Sequence, residues 1–472
     1  MRWWLLVGGL LCLTLPLLAK EVTIHGFVTE VNSPTSFAID DYKVTRDNAL
    51  NFELSGAEGI QPSTFRAEDI RVGTELEVKG EYDDATGRLT AKSIRVFLGD
   101  AERLKRTALL EQIPVLTRNG SGWEGEVRAD GERIRVLPAT LVTIKPNKSE
   151  QKKLKGAASH ESSPLMALDA LNLDTFVRYE GTRTSEGKID AAKIEFEHGE
   201  LEPGEAKLWK RLDPDVKAPD YSNFIPGQFK MHDCAYEFCE QEIVPIKEAQ
   251  EYIARIGESL IPAHQKELPS DDPLKIPFRF FLVKAKSFNA VAYPNGVVLV
   301  HSGVFDILQN EAQLAFVLAH EISHAVEKHA WEARHYHQKE LMALRAGGAF
   351  LPFAGPLATG LAADAIKNQY VRSLENQADR VGLEWMLAAG YDIREAPASW
   401  KALSIKKGDG PINPLWSSHD NKTTRRSYLM AELRNNYSDV DFSALKTDSG
   451  EFHHVAQTVT QFEVTKKTTK TE

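Results

Sequence analysis

Hydrophobic and polar positions alternate with a period of two over short stretches from Glu21 to about Glu200, at Val22–Val31, Glu75–Gly80, Leu89–Phe97, Glu124–Arg128 and Ile134–Leu137. Gly, Asn and Asp punctuate these stretches, so the pattern predicts β-structure. The period changes to 3.6 further along. Leu314, Val317, Leu318, Ile322, Ala325 and Val326 fall on one stripe of a helix. A second helical stretch runs from about Asn368 to Gly390, with Leu374, Ala378, Val381 and Trp385 as its apolar stripe and Gly390 as its stop. Between them, 346–363 is free of charge but broken by glycines and prolines, which makes a poor spanning helix. We read it as a flexible cover beside a cleft, touching lipid or client.

The β-rich part repeats itself. Gly80 followed by Gly87–Ile94 aligns with Gly181 followed by Gly187–Ile194, and Gly26-Phe27-Val28 matches Gly125-Glu126-Val127. The expectation is two tandem small β-barrels of the OB type, at 20–100 and 101–200. The first lacks a basic groove with interleaved aromatics, so no nucleic-acid platform is expected and a spacer or docking role is favoured. Residues 201–240 are read as a linker and 441–472 as a C-terminal tail ending in a disordered Lys/Thr-rich stretch.

Residues 1–19 form an address. Arg2, an apolar run from Trp3 to Leu18 and the small Ala19 make a cleaved secretory signal; the alternative is an uncleaved membrane anchor, for which the run is short and interrupted by two glycines and Pro16. Export leaves Cys234 and Cys239, five apart, in an oxidising compartment. A short-loop disulfide, two free thiols, or a metal site shared with His232 all stay open. The 472 residues carry 57 Lys+Arg against 67 Asp+Glu, and the resulting net charge of −10 argues against a broad nucleic-acid surface.

The chemistry sits on the predicted helices. His320-Glu321-Ile322-Ser323-His324 places two histidines four apart on one face, where both imidazoles can hold one Zn²⁺ and Glu321 can act on a water as general base. A catalytic zinc needs a third protein ligand. Glu375-Asn376-Gln377-Ala378-Asp379 supplies it: Glu375 completes a His₂Glu set, and Asp379 accepts the free N–H of a ligand histidine, His320 in our reading. On a continuous helix His329 falls on the opposite face and His335 too far along the axis, so both are read as structural or exposed; His301 is read as packing.

These motifs resemble the zinc metallopeptidases of the HtpX and CAAX-prenyl-protease type (gluzincins), in their soluble periplasmic BepA-like branch. The resemblance runs over roughly 246–433 and includes Asn289–Gly296, Val297–Gly303, Asn310-Glu311, Leu314–Ala319 and Ala388–Asp392. It implies a mainly helical zincin-type peptidase domain with a small β-sheet at 241–440, making the chain multidomain α+β. It implies that His419 lies over the zinc, blocking it or donating to the oxyanion, although Asp420 stands where the family usually has proline. It further implies an edge strand around Asn289, Ala290 and Val291 that takes an extended or unfolded polypeptide as an added strand. The expected function is an exported endopeptidase, holding one zinc, that degrades misfolded or unassembled envelope proteins. The competing reading is an envelope binding or assembly factor working through its β-domains, with a latent peptidase.

Overall fold

The computed structural model describes residues 20–55, 65–97, 104–145, 171–184, 188–199, 214–232, 240–336, 372–407 and 422–468. The address at 1–19, Cys234 and Cys239, the stretch 346–363, His419 and the last four residues lie outside the described residues. The chain divides into two compact units after Phe97.

The first unit contains β1 (Lys20–Ser33), β2 (Ser36–Ile39), β3 (Tyr42–Thr45), β4 (Phe52–Ser55), β5 (Glu75–Asp83) and β6 (Arg88–Phe97). Its sheet order is β3-β2-β1-β5-β6-β4, and β3 pairs again with β6. Leu76, Val78 and Gly80 turn inward while their neighbours face outward, the period-two signature of a strand with one buried face.

The second unit opens with β7 (Leu104–Leu109), β8 (Leu116–Asn119), β9 (Gly122–Ala129), β10 (Glu132–Lys145), β11 (Thr175–Arg183) and β12 (Ile189–His198), in the order β7-β11-β12-β10-β9-β8. The pairings of the first sheet recur here. β5–β6 and β11–β12 are antiparallel hairpins, and β3–β6 and β10–β12 are parallel. Both hairpins carry a register shift at the repeated glycine, Gly80 in one and Gly181 in the other. A Cβ there would stand 2.1 Å from the Thr90 carbonyl oxygen or 2.6 Å from that of Asp190, so the bulge demands glycine. The Gly26/Gly125 match, however, does not correspond in topology. Gly26 lies on β1 against β5, whereas Gly125 lies on β9 against β10. The counterpart of β1 is β7: Val22 faces Gly80 as Leu104 faces Gly181. A three-residue likeness carried too little information to set that frame.

The third sheet is built from β13 (Pro214–Lys217), β14 (Gly227–Met231), β15 (Glu240–Ile243), β16 (Arg279–Val283), β17 (Ala290–Ala292) and β18 (Val297–His301), in the order β13-β14-β15-β16-β18-β17. Residues 214–231, read above as linker, are therefore two strands of this sheet. Gly227, Phe229 and Met231 are buried and Gln228 and Lys230 exposed, a pattern five residues long that prolines and polar turns masked.

Helices follow as α1 (Lys247–Leu260), α2 (Ala263–Lys266), α3 (Glu311–Val326), α4 (His329–Tyr336), α5 (Arg372–Ala388), α6 (Glu395–Lys407), α7 (Lys422–Asn436) and α8 (Phe452–Thr468). Every residue of α3 is buried, and the Asn310 side chain caps it by accepting from Gln313 N at 2.9 Å. Such a helix is the centre of a core rather than a surface element. The segment read as a tail corrects in part: Phe452, Val455 and Val459 put one face of α8 into the same core as α3. Its i, i+3, i+7 spacing is helical but was obscured by the polar residues around it.

Candidate active site

α3 and α5 cross closely because Gly382 of α5 lies over the backbone of His320, where a Cβ would come within 3.3 Å of His320 N. That approach brings Glu375 to the two histidines. His320 Nε2 is 3.1 Å from His324 Nε2 and 3.5 Å from Glu375 Oε2, and His324 Nε2 is 3.8 Å from Glu375 Oε1. Tetrahedral ligands at zinc-type bond lengths stand about 3.3 Å apart, so the triad has the size of a metal site. All three donors are buried and lie within 4.8 Å of one another. Asp379, fully buried, sits 3.0 Å from His320 Nδ1, the nitrogen that faces away from the triad. This is the carboxylate–histidine arrangement that fixes ring orientation.

Buried charge sets the ionisation of each donor separately. Burial opposes ionisation of Glu375, yet Arg425 and the two imidazoles hold its carboxyl well below the usual range. Burial and Arg425 likewise oppose charge on His320, but Asp379 and Glu375 lift it to about 9. Burial, with His320 beside it, holds His324 well below the ordinary imidazole range, so it stays neutral as a ligand must. Burial pushes Glu321 up to about 7, near the value that suits a general base. Its Oε2 accepts from Ala292 N at 3.0 Å, which ties it to β17 at the sheet edge.

Residues 247–433 match the sequence profile of peptidase family M48. This segment is an M48 peptidase domain. Residues 25–95 match the "Domain of unknown function (DUF5666)", which covers most of the first unit. The beta-barrel assembly-enhancing protease of Escherichia coli K12 is 34% identical over 163 residues, 32% of this chain and 32% of that protein. A Vibrio cholerae relative is 34% identical over 165 residues, 33% of this chain and 32% of its own length. The mitochondrial metalloendopeptidase OMA1 of Arabidopsis thaliana is 29% identical over 158 residues, 33% and 32% of the two chains. The chain thus spans about a third of the length of the curated relatives it matches. No helix among the described residues is long and apolar enough to cross a membrane.

Two residues of the M48 domain take positions that sequence reasoning missed. Arg425 of α7 donates from Nη1 to Glu375 Oε2 at 2.9 Å and from Nε to Asp379 Oδ2 at 3.0 Å, with Nη2 3.2 Å from His320 Nδ1. Its guanidinium also stacks on Trp400, 4.2 Å from the ring centroid. The family resemblance marks it six positions past His419, as the downstream member of that element, but gives it no role. His329 corrects the continuous-helix assumption: α3 ends at Val326, Lys328 takes φ +52, and the chain turns back. His329 Nδ1 therefore lies 2.8 Å from His324 Nδ1, with the two rings edge-on at 78°. The side chain of His335 lies outside the described residues. His301 is buried with Nδ1 2.7 Å from Ser287 Oγ. Asn289, Ala290 and Val291 are buried along the edge strand, and neither polar atom of the Asn289 side chain has a hydrogen-bond partner among the described residues.

Proposed function

We propose that this chain is an exported zinc-dependent metalloendopeptidase hydrolysing peptide bonds of misfolded or unassembled envelope proteins. The observation that carries the reading is the buried His320/His324/Glu375 triad with Glu321 between its histidines. Two imidazoles, one carboxylate and an acidic partner for His320 form the donor set zinc prefers in peptidases. When bound, zinc supplies a nucleophilic water at neutral pH and polarises the scissile carbonyl. Glu321 takes the proton of the attacking water and hands it to the leaving amine. Asp379 and Arg425 hold His320 and Glu375 in place. His419 is our candidate donor to the oxyanion.

Substrate selection follows from the sheet. β17 ends the strand order, and Ala292 beside Glu321 sets the register of an added strand around Asn289, Ala290 and Val291. Backbone pairing of this kind accepts extended chains of many sequences, which suits unfolded clients. The envelope setting is supported by the leader pattern at 1–19 and by the relative named for β-barrel assembly. The stretch 346–363 is proposed to contact client or lipid. We read the two N-terminal sheets as small barrels, supported by the β3–β6 pairing and by the bridge from Leu110 to Ala129.

The test is hydrolysis of an unfolded protein by the purified mature chain, with and without a chelator and with zinc restored. E321Q is expected to lose about 10²–10⁴-fold in turnover. Parent-level cleavage by E321Q would refute the assignment.

A further inference from the structure

The second β-domain meets the M48 domain through buried charge rather than through a solvated seam. The β9–β10 turn, Asp130-Gly131, has φ +67 at both residues and presses on α5: a Cβ on Gly131 would lie 3.1 Å from Glu384 Oε2 and 3.9 Å from Val381 Cα. Asp130 is fully buried. Its carboxylate accepts from the Tyr179 hydroxyl at 2.9 Å, from Arg106 Nη1 at 3.4 Å and from Arg380 Nη2. Its backbone oxygen accepts from Arg380 Nε at 3.4 Å. Arg380 in turn donates to the Tyr428 hydroxyl of α7. Beside this core, Arg128 Nη2 donates to Glu384 Oε1 at 2.7 Å and Arg183 Nη1 to Asn436 Oδ1 at 3.2 Å.

The placement of these contacts is what matters. Arg380 directly follows Asp379 on α5, and Tyr428 lies one turn beyond Arg425 on α7. The domain also reaches the end of the histidine helix: Leu109 N donates to Glu327 Oε2 at 3.3 Å, and Phe176 stacks on Trp331 at 4.3 Å. One small domain thus grips α5, α7 and the α3–α4 turn. A spacer would have no use for buried, mutually paired charges, whose desolvation has to be offset by good geometry. Domain contacts within a chain are ordinarily polar and loose.

We propose that the second β-domain is a built-in part of the peptidase site: Asp130 is a positioning residue that acts through Arg380 and Tyr428 to fix α5 against α7, and with them Glu375, Asp379 and Arg425. The inference rests on the peptidase reading above for its kinetic arm only. In the full mature chain, D130N keeps an acceptor but removes the carboxylate charge in direct contact with Arg380, leaving Glu132 at 3.9 Å. It is expected to lower kcat about tenfold with KM within about twofold, because the substrate edge on β17 is untouched. Zinc release to a chelator is expected to accelerate about tenfold, since partners that orient ligands change metal affinity on that scale. Y428F, which removes one hydroxyl, serves if D130N does not fold and should show the same split in milder form. E124Q, on the exposed face of β9, should match the parent in both assays. A folded D130N or Y428F with parental kcat and parental zinc release would overturn the proposal. Should E321Q still cleave, the peptidase reading fails on its own, and the zinc-release arm continues to decide this one.

Discussion

Removing the His329 imidazole should weaken metal binding far more than it weakens the fold. His324 presents Nε2 to the triad, 3.1 Å from His320 Nε2 and 3.8 Å from Glu375 Oε1, which leaves Nδ1 to be oriented by something else. That something is His329 Nδ1 at 2.8 Å. A neutral His324 whose Nδ1–H donates to His329 keeps its Nε2 lone pair directed at the metal, the tautomer a ligand needs. H329A deletes the acceptor. Loss of such a partner typically lowers metal affinity about 10–100-fold, which corresponds to about 1.4–2.8 kcal/mol. H329N returns a carbonyl oxygen near the vacated nitrogen and should recover a large part of the loss. The assay is a competition titration of metal-free protein with zinc against a chromophoric chelator near neutral pH. The thermal midpoint of the metal-free form is measured in parallel to separate folding from binding. An H329A dissociation constant within about twofold of the parent would show that His324 is oriented without His329. Equal weakness in H329A and H329N would show that the acceptor itself is irrelevant.

Other consequences concern the second unit. Burial, with Glu384 nearby, pushes the Glu111 carboxyl from 4.5 up to about 8. Its folded-state pKa is thus raised, so the unfolded chain releases this proton first as pH rises. Stability should fall between about pH 4.5 and 8, by at most about 1.4 kcal/mol per pH unit, and level off above. E111Q still accepts from Gly131 N but cannot ionise, so its advantage over the parent should widen across that window in urea titrations; parallel pH profiles would contradict this. G181A forces a methyl to 2.6 Å from the Asp190 carbonyl oxygen and should destabilise the unit by about 1–3 kcal/mol. An unchanged denaturation midpoint would mean the bulge relaxes freely.

What could be read in the sequence was what is local. His320, Glu321 and His324 share one helix, as do Glu375 and Asp379, so spacing alone places each set on a face. The repeat was legible at Gly80 and Gly181 because a bulge imposes glycine in both copies, and it misled at Gly26 and Gly125 because nothing physical ties those positions together. His329 was misplaced by one backbone angle, the φ +52 at Lys328, which no periodicity encodes. Strands β13 and β14 were hidden by their shortness and polar outer faces. Arg425 reaches its partners across 46 to 105 residues, and Asp130 meets Arg380 across 250, separations over which sequence pattern carries no signal.

The grip of the second β-domain on α5 and α7 also says where this protein can be cut. The family likeness begins at residue 247, which invites a minimal fragment starting there. Such a fragment would strip β13 to β15 from their sheet and leave Arg380, Glu327 and Trp331 facing water. The natural seam of the polypeptide is at Phe97. For expression, crystallography or directed evolution, the module to keep whole is the second unit, about twice the length its homology would mark out.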